Sequence, residues 1–253
     1  MSGLERILDD VDGLGQPFRI RTVRPGDADG DAVRFSAARL ADATSGEAVR
    51  MADLHADFRR MPRARHAASL VFQRYSHRVC GVAVAAWYRH GTVLDLSAGN
   101  VVIRFVGGTP DGIELREART VDGTGVGGVL RTVLDAHLVP VARALSAARG
   151  PGMPNLLGNA AAGFAGAFRT LSARYPGDDV VRAAELFLAA DPRLARGGTF
   201  RTVDGPRGPR LQYDRSSCCH WYAAPDGKYC SWCSRLTPDE RTARYLEAMR
   251  AER

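Results

Sequence analysis

Lysine is almost missing from this chain: Lys228 is the only one, so arginine supplies 34 of the 35 basic side chains. Alanine and glycine are abundant alongside it, and the pattern reads as a coding bias. The formal charge is +7, but the arginines are interleaved with 28 acids and form no dense basic stripe. That distribution favours a solvated arginine-rich surface over a nucleic-acid site. Long apolar runs are also missing. The longest, VCGVAVAAWY, falls short of the ~20 residues a bilayer span needs. The uncharged stretch between Arg149 and Arg169 is longer, but it carries two prolines, two asparagines and five glycines. The acidic start, MSGLERILDDVDGLG, lacks the basic and apolar segments of a signal peptide. A cytoplasmic protein, or one peripheral at the inner membrane surface, is expected.

No G-x-S-x-G, H-E-x-x-H or P-loop occurs. Gly123–Gly128 matches G-x-G-x-x-G, but no acid follows about 20 residues on, where a dinucleotide site needs one, so a flexible loop is expected. His55, His66, His77, His90 and His137 are dispersed along predicted helices, and only His220 sits beside a cysteine.

Composition is otherwise that of a globular chain, 45% hydrophobic and 25% charged. A short N-terminal helix is expected, then a Gly/Asp/Pro loop at 22–31. Helices over 47–61 and 63–90 follow, divided by Pro62. In the second, Ala68, Phe72, Tyr75, Val79, Val82 and Ala86 share a face that should be buried. TVLDL, VVIRFV and GIELREART then read as an antiparallel meander. Helices resume over 126–148, interrupted at Pro140, and over 154–174 and 178–190. Residues 197–217 read as loop with one strand near RLQY. Thr237, Pro238 and Glu240 form an N-terminal capping signature for a last helix. This order of helices, strands, helices predicts an α+β fold. The main, mostly helical domain should occupy 1–205, with a cysteine-rich module at 206–253 packed against it.

Helix 154–174 has an apolar stripe of Leu157, Ala161, Phe164, Phe168 and Leu171. Another face carries only small or amide residues: Asn155, Gly158, Asn159, Ala162 and Gly166. Each interior glycine costs ~1 kcal/mol, so a close approach must offset it. Tight helix packing is the first reading, and a ligand lying on this face, bonded by Asn155 and Asn159, the second.

Cysteine is scarce until the end. CCHWYAAPDGKYCSWC holds four of the five, spaced C-C-x10-C-x2-C, and Cys80 lies apart in an apolar helix as a buried bystander. A reducing compartment favours metal over disulfides for such a cluster. Structural zinc usually takes two C-x2–4-C pairs. Here only Cys230 and Cys233 form one, and adjacent side chains such as Cys218 and Cys219 point apart in extended backbone. Putting both on one ion demands a sharply turned backbone. A two-iron cluster relaxes this, letting the vicinal pair chelate one iron or divide between two. The spacing therefore favours iron–sulfur and leaves zinc open. Trp221, Tyr222, Tyr229 and Trp232 would limit water access to such a centre, or simply pack a small loop. PDG at 225–227 should turn the spacer back on itself.

The C-C-x10-C-x2-C module near the C-terminus resembles the FhuF family of ferric-siderophore reductases, whose four cysteines ligate a 2Fe–2S cluster. Cys218, Cys219, Cys230 and Cys233 match it without departure in spacing. NLLGNAAAG at 155–163 and the helix SLVFQRYSHRVCGVAVAAW are also similar to the family, less specifically. The resemblance implies a siderophore-binding domain at 1–205. It also implies an iron–sulfur oxidoreductase that passes one electron to siderophore-bound Fe(III) and releases Fe(II). With no flavin or nicotinamide site visible, the donor should be another protein or a small reductant. Asn155, Asn159, Arg74 and His77 are the candidate siderophore contacts, a hydroxamate chelate being the first guess, and His220, Trp221 and Trp232 the candidate surroundings of the cluster. No nucleic acid is expected as partner. The alternatives are a zinc-stabilised basic nucleic-acid-binding module and a generic 2Fe–2S electron-transfer or sensor protein.

Overall fold

The structure is a computed structural model that describes residues 2–23, 31–123, 125–205 and 208–251. The Gly/Asp/Pro loop expected at 22–31 falls mostly on residues 24–30, and one position of the Gly123–Gly128 motif on residue 124, outside the described residues.

In chain order the elements begin with α1 (Gly3–Asp12), β1 (Ile20–Thr22), β2 (Val33–Ser36), α2 (Ala37–Ala41), α3 (Glu47–Arg59) and α4 (Ala64–His90). Strands β3 (Val101–Val106) and β4 (Thr109–Leu115) follow. Next come α5 (Val126–Val129), a π-helical stretch (Leu130–Leu138), α6 (Val139–Arg149), α7 (Met153–Arg174), α8 (Asp178–Ala189) and α9 (Pro192–Ala195). The chain ends with β5 (Gly198–Gly205), β6 (Gly208–Arg215), a 3-10 turn (Trp221–Ala223) and α10 (Pro238–Ala251). The fold is α+β, as the sequence predicts, and mostly helical.

The centre is the pair α4 and α7. The predicted face of α4 is buried throughout, but so is most of its remaining circumference, because β4, α3, α7 and the C-terminal segment pack around it. The apolar stripe of α7 meets α8, where Phe164 and Phe187 stand 4.8 Å apart between ring centroids. Cys80 is buried between α4 and α7, and burial pushes its thiol pKa up.

The sheet differs from a simple meander. Its order is β1-β4-β3-β2, with β3 antiparallel to both β2 and β4 and β1 parallel to β4. TVLDL contributes only an isolated bridge, Leu94 to Thr120. The break expected at Pro140 does not occur either. Proline offers no N–H to the Ala136 carbonyl, and Ala98 N–H donates to that carbonyl instead, at 3.1 Å. The turns widen to π geometry just before Pro140, and the helix runs on to Arg149.

Residues 197–217 contain a full hairpin, β5 with β6, where the sequence suggests mostly loop. Position 205, where the composition shifts, lies at its tip, so β6 pairs the cysteine-bearing segment to the strand before it. The last helix has its capping box: Glu240 N–H donates to Thr237 Oγ1 at 3.2 Å and Thr237 N–H to Glu240 Oε2 at 2.8 Å. Among the described residues, no helix is long and apolar enough to cross a membrane.

Candidate functional site

The cysteine segment leaves β6 at Arg215 and turns at once. His220 adopts φ 65°, ψ 18°, a left-handed conformation that a residue with a Cβ takes at a cost of ~1–2 kcal/mol. Its N–H donates to Cys218 Sγ at 3.3 Å. The 3-10 turn follows, then Gly227 N–H donates to the Ala224 carbonyl at 2.8 Å, folding the spacer back as PDG suggests. Cys230 and Cys233 sit in a second turn, with Cys233 N–H on the Cys230 carbonyl at 3.0 Å.

These turns bring the four thiols together. Side-chain hydrogen bonds connect Cys218 with Cys233, Cys233 with Cys230, and Cys230 with Cys219. Each cysteine of the vicinal pair thus meets one cysteine of the C-x2-C pair. The bonds hold Cys219 and Cys233 below an ordinary thiol pKa against the opposing effect of burial, and push their partners Cys230 and Cys218 up. None of the four is in a disulfide. Among the described residues, no three of His, Cys, Asp or Glu are grouped so as to hold a metal ion. The thiol contacts run pairwise along a chain instead. Four soft sulfur donors with no oxygen or imidazole ligand among them suit iron or zinc. Their two-by-two contact suits a centre that spreads its ligands over two metals.

The segment rests on α4 and α7. Cys219 packs with Met61, Ala67, Leu70 and Ala224. Trp232, 7% exposed, meets His77 edge-to-face at 5.7 Å and Tyr213 at 5.9 Å, and Arg169 lies over it at 4.6 Å. A side chain at position 166 would crowd His77 and Trp232, and one at position 158 would collide with Ser217. The small-residue face of α7 therefore holds protein, in keeping with the packing reading. Trp221 lies under Arg74 at 5.2 Å, its Nε1 buried without a partner among the described residues. His220 stacks on His66 at 4.3 Å, and burial lowers its pKa to about 4.

All four candidate chelate contacts lie against this segment. Asn155 accepts from Ser69 Oγ at 2.6 Å and donates to the Cys218 carbonyl at 2.6 Å. Asn159 is fully buried; it donates to Ser69 and accepts from Arg215 Nη2. His77 Nε2 accepts from Gln73 Nε2 at 2.8 Å, and burial depresses its pKa strongly. Burial also lowers the pKa of Arg74, while Cys219 and Cys230 favour its charged form. Arg169, Arg215, Ser69 and Tyr213 are missed by sequence reasoning. In a chain so rich in arginine, two more carry no signal.

A cavity of about 410 Å³ opens beside Cys218, lined by Asn155, Gly158, Arg193, Arg196 and Ser217. Arg193 is paired with Asp135 and Asp191, at 2.7 and 2.5 Å. The Arg196 side chain is exposed and bonds only the Pro192 carbonyl among the described residues. A larger cavity, about 550 Å³, lies between α1 and β1, but Glu5, Asp9 and Asp12 make its rim acidic and no cysteine lines it.

No curated protein matches the chain. The family described as "Ferric iron reductase FhuF-like transporter" matches residues 69–205, which run from α4 through β5 and stop short of the cysteines. On that match, which spans more than half of its length, the chain belongs to the FhuF-like ferric iron reductase family.

Proposed function

We propose that this protein is a ferric-siderophore reductase whose electron passes through a 2Fe–2S cluster held by Cys218, Cys219, Cys230 and Cys233. The observation that carries the reading is the convergence of these four thiols, two by two, on the elements that the family match covers. When bound, such a cluster supplies a one-electron carrier of low potential.

The chain's own residues do the rest. Trp232 and Trp221, clamped by Arg169 and Arg74, pack the segment around the thiols and limit water there, except at Cys218, which opens on the cavity beside it. Asn155 fixes the Cys218 carbonyl, and Asn159 braces the same face through Ser69. The chelate docks at the cavity beside Cys218, the one cysteine exposed to it, where Arg196 offers a cation to the anionic oxygens that wrap Fe(III). Asn155 lines that cavity. Asn159, Arg74 and His77 are not in its lining and act by holding the cysteine segment in place, through Arg215, Trp221 and Trp232. One electron reduces Fe(III) to Fe(II), the weaker charge loosens the oxygen donors, and the metal leaves. A separate protein or small reductant restores the centre. We place these events in the cytoplasm or at the inner face of its membrane. The main body would bind the chelate and the segment from 206 onward would carry the electron.

Anaerobically prepared, iron-replete protein tests this. It should be red-brown, carry about two irons and two sulfides per chain, and bleach with dithionite. Colourless protein with stoichiometric zinc would favour a structural metal instead.

A further inference from the structure

Strand β6 ends on a buried cation. Arg215 is 2% exposed and heads the largest fully buried side chains. Its Nη2 donates to Asn159 Oδ1, while Nε and Nη1 are buried with no partner among the described residues. Among the described residues no carboxylate lies within ion-pair reach of it. The neighbouring Asp214 is engaged by Arg201 at 2.8 Å and Arg241 at 3.4 Å. Elsewhere this protein pairs its buried charges: Glu114, also 2% exposed, lies between Arg21 at 2.5 Å and Arg34 at 2.9 Å.

A guanidinium withdrawn from water is costly unless opposite charge sits close by. Arg215 lies three residues before Cys218, and one turn of α7 holds both: Asn159 accepts from Arg215 while Asn155 donates to the Cys218 carbonyl. The thiolates of a metal centre at this segment would supply the opposite charge that Arg215 lacks. Asn159 holds the guanidinium there. Its amide is oriented by two bonds to Ser69 of α4, each 3.0 Å, so the carbonyl oxygen must face Arg215.

We propose that Arg215 is the built-in countercharge of the four-cysteine centre, and that it sets the potential at which that centre takes up its electron. This rests on the reading above that the cysteines hold an iron–sulfur cluster. An all-thiolate two-iron centre is anionic and gains a further negative charge on reduction. A fixed cation in a low-dielectric pocket stabilises the reduced form more than the oxidised one. Arg215 forms no bond in the process: one electron enters from the donor and leaves to Fe(III).

The test compares wild type, Arg215→Lys and Arg215→Gln, prepared anaerobically, by iron and sulfide content and by redox titration of the visible spectrum. Arg215→Gln should keep its iron and lose roughly tenfold or more in the equilibrium constant for reduction, ~59 mV lower per tenfold for one electron. Arg215→Lys should recover most of that loss. A glutamine variant that fails to hold iron while the lysine variant holds it would also support the countercharge. An iron-loaded glutamine variant with wild-type potential would overturn it. So would lysine and glutamine variants that lose iron alike, or shift potential alike, since either makes Arg215 a packing residue. Colourless wild type would instead sink the cluster reading itself.

Discussion

The α4–α7 core and the cysteine segment after β6 solve different problems. In the core, Phe164, Phe168, Phe187, Val82 and Leu171 are buried among each other and need no polar partner. The segment buries little that is aliphatic. It is held by stacked rings, by arginines over Trp221, Tyr222 and Trp232, and by two asparagines reaching out of α7. Buried polar atoms without a partner among the described residues collect there too, including Ser217 Oγ, Trp221 Nε1 and two nitrogens of Arg215. A core of this kind sustains itself. A segment so short of apolar burial depends on what its thiols hold, and the contrast gives the mutations below their separate signatures.

The largest effect should come from the ligands. Cys230→Ser or Cys233→Ser is expected to lose or strongly perturb the iron–sulfur centre, read as iron content and visible absorbance, whereas Cys80→Ala keeps it. Normal iron in both serine variants beside an empty Cys80→Ala protein would reverse the assignment. Stripping the iron should free the segment while the core stays folded, because binding energy of a metal centre is also local folding energy. Limited proteolysis should then cut within 216–236 in stripped protein and spare α4 and α7. Simultaneous digestion of both would contradict the division.

Phe164→Ala should do the converse. It opens a cavity in the core at a cost of about 3–5 kcal/mol, measurable by urea unfolding, with the visible spectrum of the folded protein unchanged.

Acid acts on the core at intermediate strength. Burial lowers both His137 and His55 to about 4, from an ordinary value near 6.5. His137 is enclosed between the Tyr75 hydroxyl and the Leu96 carbonyl, and His55 bonds the Gly108 carbonyl. Between pH 6.5 and 4 the unfolded chain takes up protons there that the folded chain does not, so stability falls as pH drops through that window. Each histidine contributes up to about 3 kcal/mol. Urea midpoints that stay constant from pH 7 to 4.5 would contradict this. The smallest effect is expected for Thr237→Ala, which removes the cap of α10 for about 1 kcal/mol and should show as faster amide exchange in its first turn only.

Much of this was legible in the sequence. The periodicity of α4 and α7, the cap at Thr237 and the turn at 225–227 are local signals, and the structure contains each of them. The four cysteines announce themselves because the chain otherwise nearly lacks cysteine. What stayed hidden depends on partners distant in sequence. The α6 helix survives Pro140 because Ala98, some forty residues earlier, supplies the missing donor. Strand β2 is four residues long and β1 three, too short for a period to show. The β5–β6 hairpin is dense in Gly, Arg and Pro, and β6, packed against α7, buries Arg210, Leu211, Gln212 and Tyr213 in succession, so it has no alternation to read. Asn155 and Asn159 were visible as an amide face, but that they would reach Cys218 and Arg215 could not be read from spacing.

The central claim is that the cysteine segment delivers an electron to a chelate docked beside it. Stopped-flow mixing of reduced protein with a panel of ferric siderophores, with a ferrous trap present, tests it most directly. The account predicts reoxidation that is fast and saturates with at least one chelate, with trapped Fe(II) appearing in step. Reoxidation that is uniformly slow and linear in the concentration of every chelate would contradict a dedicated site and leave a general electron carrier.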